Sequence, residues 1–277
     1  MHKNRNKLAR LLMTGVIASP FIFSSDFRAI ENTQVASPQQ NITDSEQNST
    51  RANLNQLSGG LCVSGREGVE WNYVDGTLTI LPSSESITLS GSSKTDKVVV
   101  SPDFNGIIIL AGVELNNSLI APKSDIVIAA DTINRITSSD LALKCEQLIG
   151  KGYSSKLFVT SANSGVEVTK YIEKLDLNIV AKDIGLTAHD MVSTKVTCEA
   201  NVCVYIPRYS IESIEKCIFN LKAVDTGIKC DNNMRFVECV YEISGVNGIL
   251  GGIGNLDVVL SKVTLNCSNI GLSLIHI

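Results

Sequence analysis

The chain has 277 residues, 44% of them hydrophobic and 19% charged, a balance that provides for a sizeable core and excludes global disorder. The formal net charge is −4, and Lys and Arg are scattered rather than massed, so nucleic-acid binding has no support. One Trp, seven Phe and six Tyr stand beside abundant Val, Ile, Ser, Thr, Asn and Gly, a mix that favours strands and turns over helices.

Residues 1–29 read as a signal peptide. Lys3, Arg5, Lys7 and Arg10 precede the apolar run LLMTGVIASPFIF (11–23), which is shorter than the roughly 20 residues a spanning helix needs. The competing reading is an uncleaved amphipathic anchor. With the leader removed, the mature protein is expected to lack a stable membrane span and to be secreted or held at the cell surface. Residues 30–60 are rich in Gln, Asn, Ser and Thr and too poor in apolar residues to bury a face, so they are expected to form a disordered linker.

From residue 61 onward short alternating segments follow one another. EWNYVDGTLTI (70–80), SITLSG (86–91), KVVVS (97–101), GIIILAGVEL (106–115), DIVIAADTI (125–133) and KLFVTS (156–161) each read as strands bounded by turn residues. LDLNIV (175–180), KVTCEA (195–200), KCIFNL (216–221), FVECVY (236–241) and LDVVLSKVTL (256–265) continue the series. No segment carries a helical apolar stripe over a dozen residues.

A glycine with an apolar neighbour recurs at Gly165, Gly185, Gly227, Gly248 and Gly271, at intervals of 20, 42, 21 and 23. The double step falls on VCVYIP (202–207), an apolar segment without its glycine. Short strands at a period near 21, with no helices between them, predict an all-β fold: a single-stranded right-handed parallel β-helix spanning residues 61–271. Regular β-modules of a sandwich are the rival. Residues 61–80 are candidates for an N-terminal cap. The chain's last six residues, LSLIHI (272–277), have neither a cap nor a polar tail, and the same six letters arise by translating the end of a transposon used in sequencing libraries. The expectation is therefore a C-terminal truncation, with Leu272 to Ile277 a sequencing artefact.

Eight cysteines, at 62, 145, 198, 203, 217, 230, 239 and 267, raise the question of disulfides. Cys198, Cys217 and Cys239 lie at similar distances after their repeat positions, which predicts an inward column of buried thiols rather than staples. No metal site is predicted: Cys198 and Cys203 have no matching second pair, and His189 is the only histidine well inside the repeats. Asp183 and Asp225, each two residues before a repeat glycine, fall at equivalent corners two turns apart, about 10 Å. That is near the outer limit for an inverting carboxylate pair, but Asp before Gly is also ordinary turn chemistry. No catalytic residue is assigned. Tyr153, Tyr171, Tyr205, Tyr209 and Tyr241 are either a platform for sugar rings or plain strand formers. GKGYSS (150–155) and GGIGN (251–255) do not lead a strand into a helix, so neither reads as a phosphate loop.

EWNYVDGTLTI (70–80), IAPKSDIVIAADTINRI (120–136) and LIGKGYSSKLFVTSANSGVEV (148–168) resemble repeat-built bacterial surface proteins of the pectate-lyase-like β-helix class, among them carbohydrate-binding domain proteins. The resemblance implies an extracellular location and calcium-assisted binding of acidic polysaccharide, calcium being the one cofactor it brings in. Enzymes of that class use clustered or paired aspartates with an Arg or Lys base, or a Gly-His-Gly run. None of these patterns occurs here, so no binding residue is carried over. The function expected is a non-catalytic, exported surface protein that binds a polysaccharide or a host or cell-surface glycan, or acts as an adhesin. The alternatives are a polysaccharide lyase or glycoside hydrolase on the same scaffold, and a structural passenger or stalk.

Overall fold

A computed structural model describes residues 54–152, 154–207, 212–231, 233–253 and 256–275. The expected leader and nearly all of the expected linker lie outside these residues. Among the described residues there is no helix, and hence none long and apolar enough to cross a membrane. The chain winds into a parallel β-solenoid of about eight turns with rungs about 22 residues apart. Parallel in-register stacking rules out the sandwich.

Each turn contributes strands to three stacks. The first contains Tyr171–Glu173, Asp190–Val192, Glu212–Glu215, Met234–Val237 and Leu256–Val259. The second contains Lys156–Ser161 and Asp176–Ala181, followed by the opening halves of Lys195–Ile206, Ile218–Cys230, Val240–Ile253 and Lys262–Ile275. The closing halves of those four long strands bend into the third stack, above Val166–Val168 and Ile184–Thr187.

Alternation sorts the side chains. In the second stack Leu157, Leu177, Val196, Phe219 and Tyr241 pair in register and are all buried, as are Val159, Ile179, Cys198, Leu221 and Ile243. A single turn has nothing to bury these residues against. Stacking supplies the partner surface, so apolar burial and the hydrogen-bond ladder accumulate together. Tyr241 stacks on Phe219 with ring centroids 5.0 Å apart and meets Phe236 edge-on at 4.9 Å.

The corner between the first and second stacks has its own repeat. Lys174, Ser193, Lys216, Glu238 and Leu260 all take the left-handed conformation, with φ of 50–54°. Each is followed by the residue that opens the second stack: Leu175, Thr194, Cys217, Cys239 and Ser261. Thr194 Oγ1, Cys217 Sγ, Cys239 Sγ and Ser261 Oγ each donate to the carbonyl two residues back, at 2.9–3.3 Å. Each of these carbonyls also accepts a backbone N–H from the preceding turn, so the side-chain bond is a second one that ties the corner to the end of its strand.

Two expected boundaries move. Asn55–Gln56 pairs antiparallel with Leu61–Val63, which in turn pairs with Ser86–Ser93, and Leu57 is buried. Residues 54–60 therefore belong to the folded domain and not to a disordered linker, because this hairpin lies on the first turn. Trp71–Val74 pairs antiparallel with Thr77–Ile80, which stacks on Lys97–Val100, and the indole of Trp71 is buried. At the other end the last strand runs to Ile275, past residue 271, since its backbone continues to pair with Ile249–Ile253.

Candidate functional site

The period-2 alternation that buries one face of the second stack leaves the other outside, in rows set by the register. Phe158, Asn178, Thr197, Asn220, Glu242 and Thr264 form one continuous outward row across six turns. A parallel row two residues on runs from Thr160 through Glu199 and Lys222 to Asn266. Between them lies an open groove of about 540 Å³. Five steps of roughly 4.8 Å give it a length of about 24 Å.

Most of the groove side chains are amides and hydroxyls, which both donate and accept hydrogen bonds. Asn178 Nδ2 donates to Asp176 Oδ1 at 3.2 Å, which fixes one amide at the groove's edge. Lys222 pairs with Glu199 at 3.0 Å on the exposed surface, a contact worth little in energy that neutralises both charges. At one end Phe158 is half-buried, with the Arg135 guanidinium 5.0 Å from its ring centroid. The site thus combines an aromatic face, a cation and two largely polar rows flanking a floor that includes Val159, Ile179, Cys198, Leu221 and Ile243.

Among the described residues no group of three His, Cys, Asp or Glu side chains is placed to hold a metal ion, and the groove's carboxylates, Glu199 and Glu242, stand on different rows.

The residues singled out in the sequence are dispersed. Asp225 accepts from Asn247 Nδ2 at 3.0 Å and from its neighbour Thr226 at 3.2 Å, so it holds a corner together. Asp183 meets the turn below through its backbone, donating from its N–H to Asn163 O at 3.0 Å. The described tyrosines do not lie together on one face. Tyr241 is in the core, Tyr171 lies on the first stack, and Tyr205 on the third bonds Asp231 with Lys229 over its ring; Tyr153 and Tyr209 lie outside the described residues. His189 sits half-buried at the turn between Ile184–Thr187 and Asp190–Val192. Gly150 ends one strand and Gly251–Ile253 close another, so neither glycine run opens a helix.

The cysteines also depart from the expected single column. All eight are free, and six of them are buried. Cys217 and Cys239 do stack at the corner, but Cys198 pairs with Ile179 and Leu221 in a different column. The cause is corner length: the stretch from Leu186 to Lys195 is three residues shorter than that from Ile228 to Val240. Cys203 occupies the missing place in the glycine column, since Leu186 pairs with Val204 and Val204 with Ile228. Its thiol donates to Cys198 O at 3.4 Å and that of Cys198 to Cys203 O at 3.5 Å.

The polar row could have been found from alternation alone. Asn178, Thr197, Asn220, Glu242 and Thr264 are flanked on both sides by apolar residues in their segments, the signature of an outward position on a half-buried strand. Comparison of the chain with protein-family models, with curated proteins and with solved structures gives no match.

Proposed function

We propose that this chain is an exported, non-catalytic β-solenoid of a bacterial surface, and that it binds an extended glycan along the groove of the second stack. The observation that carries the reading is the in-register polar row from Asn178 to Thr264 with Phe158 at its end. A chain of sugar rings presents hydroxyls at regular intervals and apolar ring faces. A row repeating at rung spacing meets the hydroxyls, and an aromatic ring backed by a guanidinium meets a ring face. Neutral groups predominate in the groove, which favours a polysaccharide of low charge over the acidic, calcium-dependent kind.

The test is retention of the full chain on immobilised neutral and acidic plant, microbial and host polysaccharides, with calcium and with chelator. The expected result is retention on a neutral glycan, unaffected by chelator. Phe158→Ala combined with Asn220→Ala should weaken it at least tenfold while leaving the unfolding midpoint within a degree or two. Absence of retention on every glycan by folded protein would overturn the reading in favour of a passenger or protein-binding role. New reducing ends or unsaturated products would replace it with a glycoside hydrolase or lyase.

A further inference from the structure

Cys217 and Cys239 carry a chemistry that their place in the fold does not require. At the same corner position Thr194 and Ser261 make the same bond to the carbonyl two residues back, so a hydroxyl suffices there. Two adjacent turns instead carry thiols. Ile218 pairs in register with Val240, and Val240 N–H donates to Cys217 O at 2.9 Å. The two cysteines are therefore stacked neighbours, with Cα atoms about 4.8 Å apart, inside the span a disulfide bridges.

Their sulfurs converge. Cys217 Sγ lies 3.2 Å from Glu215 O, and Cys239 Sγ reaches down to Ile214 O at 3.3 Å, so both sit over the end of one strand in the lower turn. The buried Tyr241 hydroxyl, which makes no well-formed hydrogen bond, faces the Cys239 sulfur.

We propose that Cys217 and Cys239 are a disulfide site, a covalent staple between consecutive turns that forms by exchange with a low-molecular-weight disulfide as the protein folds. Both thiols are buried once the turns stack, so the exchange precedes final packing. The Cys239 thiolate attacks one sulfur of the external disulfide, forming a mixed disulfide and expelling one thiolate. Cys217, losing its proton, then attacks the Cys239 sulfur and expels the second thiolate. Two protein thiols are oxidised, one external disulfide is reduced, and the two protons pass to the two departing thiolates. The staple would fix the register of the strands that carry Asn220 and Glu242, three residues farther along each strand, and so the spacing of the groove. It does not depend on what the groove binds.

The test is to refold the reduced full chain in a mixture of reduced and oxidised glutathione, alkylate the remaining thiols and map peptides by mass spectrometry. A single Cys217–Cys239 link, with the other six cysteines alkylated, is the expected result. Reducing it should lower the unfolding midpoint by about 5–10 °C. The double variant Cys217→Ser, Cys239→Ser should fold, as Thr194 and Ser261 do this work in other turns, and should lose the redox-dependent shift. Eight alkylated cysteines in folded protein would overturn the proposal. So would a link confined to Cys198 and Cys203, or a persistent glutathione adduct on Cys239.

Discussion

Gly185 lies against Cys198 so closely that a Cβ on the glycine would stand 2.2 Å from the cysteine sulfur, and 2.7 Å from the carbonyl oxygen of Cys203. The same close approach recurs at Gly227, where an added Cβ would meet Ile243 Cγ2 at 2.2 Å and the Gly248 carbonyl oxygen at 2.8 Å. At Gly165, Gly185, Gly227 and Gly248 the corner joining the second and third stacks leaves no room for a Cβ, whereas Cys203 carries one in the same column and Gly271 has space for it.

Gly185→Ala is therefore expected to destabilise the domain by about 1–3 kcal/mol through overpacking. Adding Cys198→Ala should restore only part of this, because the sulfur can be removed but the Cys203 carbonyl cannot. Urea midpoints of the two variants and the parent check it. A single variant as stable as the parent would show that the corner has slack.

The left-handed corner gives the opposite kind of change. Lys216 holds φ of 54°, a conformation that costs a residue with a Cβ about 1 kcal/mol and glycine none. Lys216→Gly should stabilise by about 0.5 kcal/mol after the added freedom of the unfolded chain is subtracted. Lys216→Val should destabilise by more than 1 kcal/mol, since β-branching makes the same conformation worse. Thermal melts of both variants give the sign directly.

Asp125 carries a pH prediction. One of its carboxylate oxygens is buried without a hydrogen-bond partner, and its pKa is raised above 3.8 by burial and then by Glu146, with Lys170 pulling the other way. A raised acid favours the folded state while protonated. That advantage is complete below about pH 3.8 and is lost as pH rises through the raised folded value. Asp125→Asn should accordingly stabilise by about 0.5 kcal/mol at pH 7. Stability curves of the two proteins should converge near pH 3.5.

At the N-terminal end Asp96 is fully buried and ties three segments together. It accepts from the Tyr73 hydroxyl at 2.7 Å and from the Leu61 N–H at 3.4 Å, while its own N–H donates to Ser93 Oγ at 2.8 Å. Asp96→Ala removes the buried acceptor of the Leu61 N–H, while the half-buried Tyr73 hydroxyl keeps Ser58 as a partner at 2.9 Å, and it should cost about 1–2 kcal/mol. Trp71, the only tryptophan, is buried in the same end, so its fluorescence should shift at lower urea than the far-UV signal of the solenoid does. Coincident transitions would show that this end unfolds only with the rest.

The fold was legible because a solenoid must repeat in sequence what it repeats in space. Five glycines with apolar neighbours marked one corner of the later turns, and Cys203 filled the one gap in their series. Short alternating segments without a helical stripe spoke against helical repeats and left the sandwich as the rival, which the parallel stacking removed. The polar row from Phe158 to Thr264 was legible in principle, since alternation alone puts those residues outside.

Register was not legible from spacing. One turn takes Ile107 to Asp125 and another takes Leu148 to Ile172, because the corner loops absorb insertions and deletions that the strands cannot. Similar distances from a glycine therefore do not mean the same column, and Cys198 parted from Cys217 and Cys239 for that reason. Pairing through backbone hydrogen bonds, fixed only when the turns stack, decided which thiols meet and which carboxylates serve the corners. The sequence by itself determined that the chain winds and which face of each strand is buried. The tertiary structure alone decided what stands above what, because corner geometry, and not residue count, sets the register between neighbouring turns.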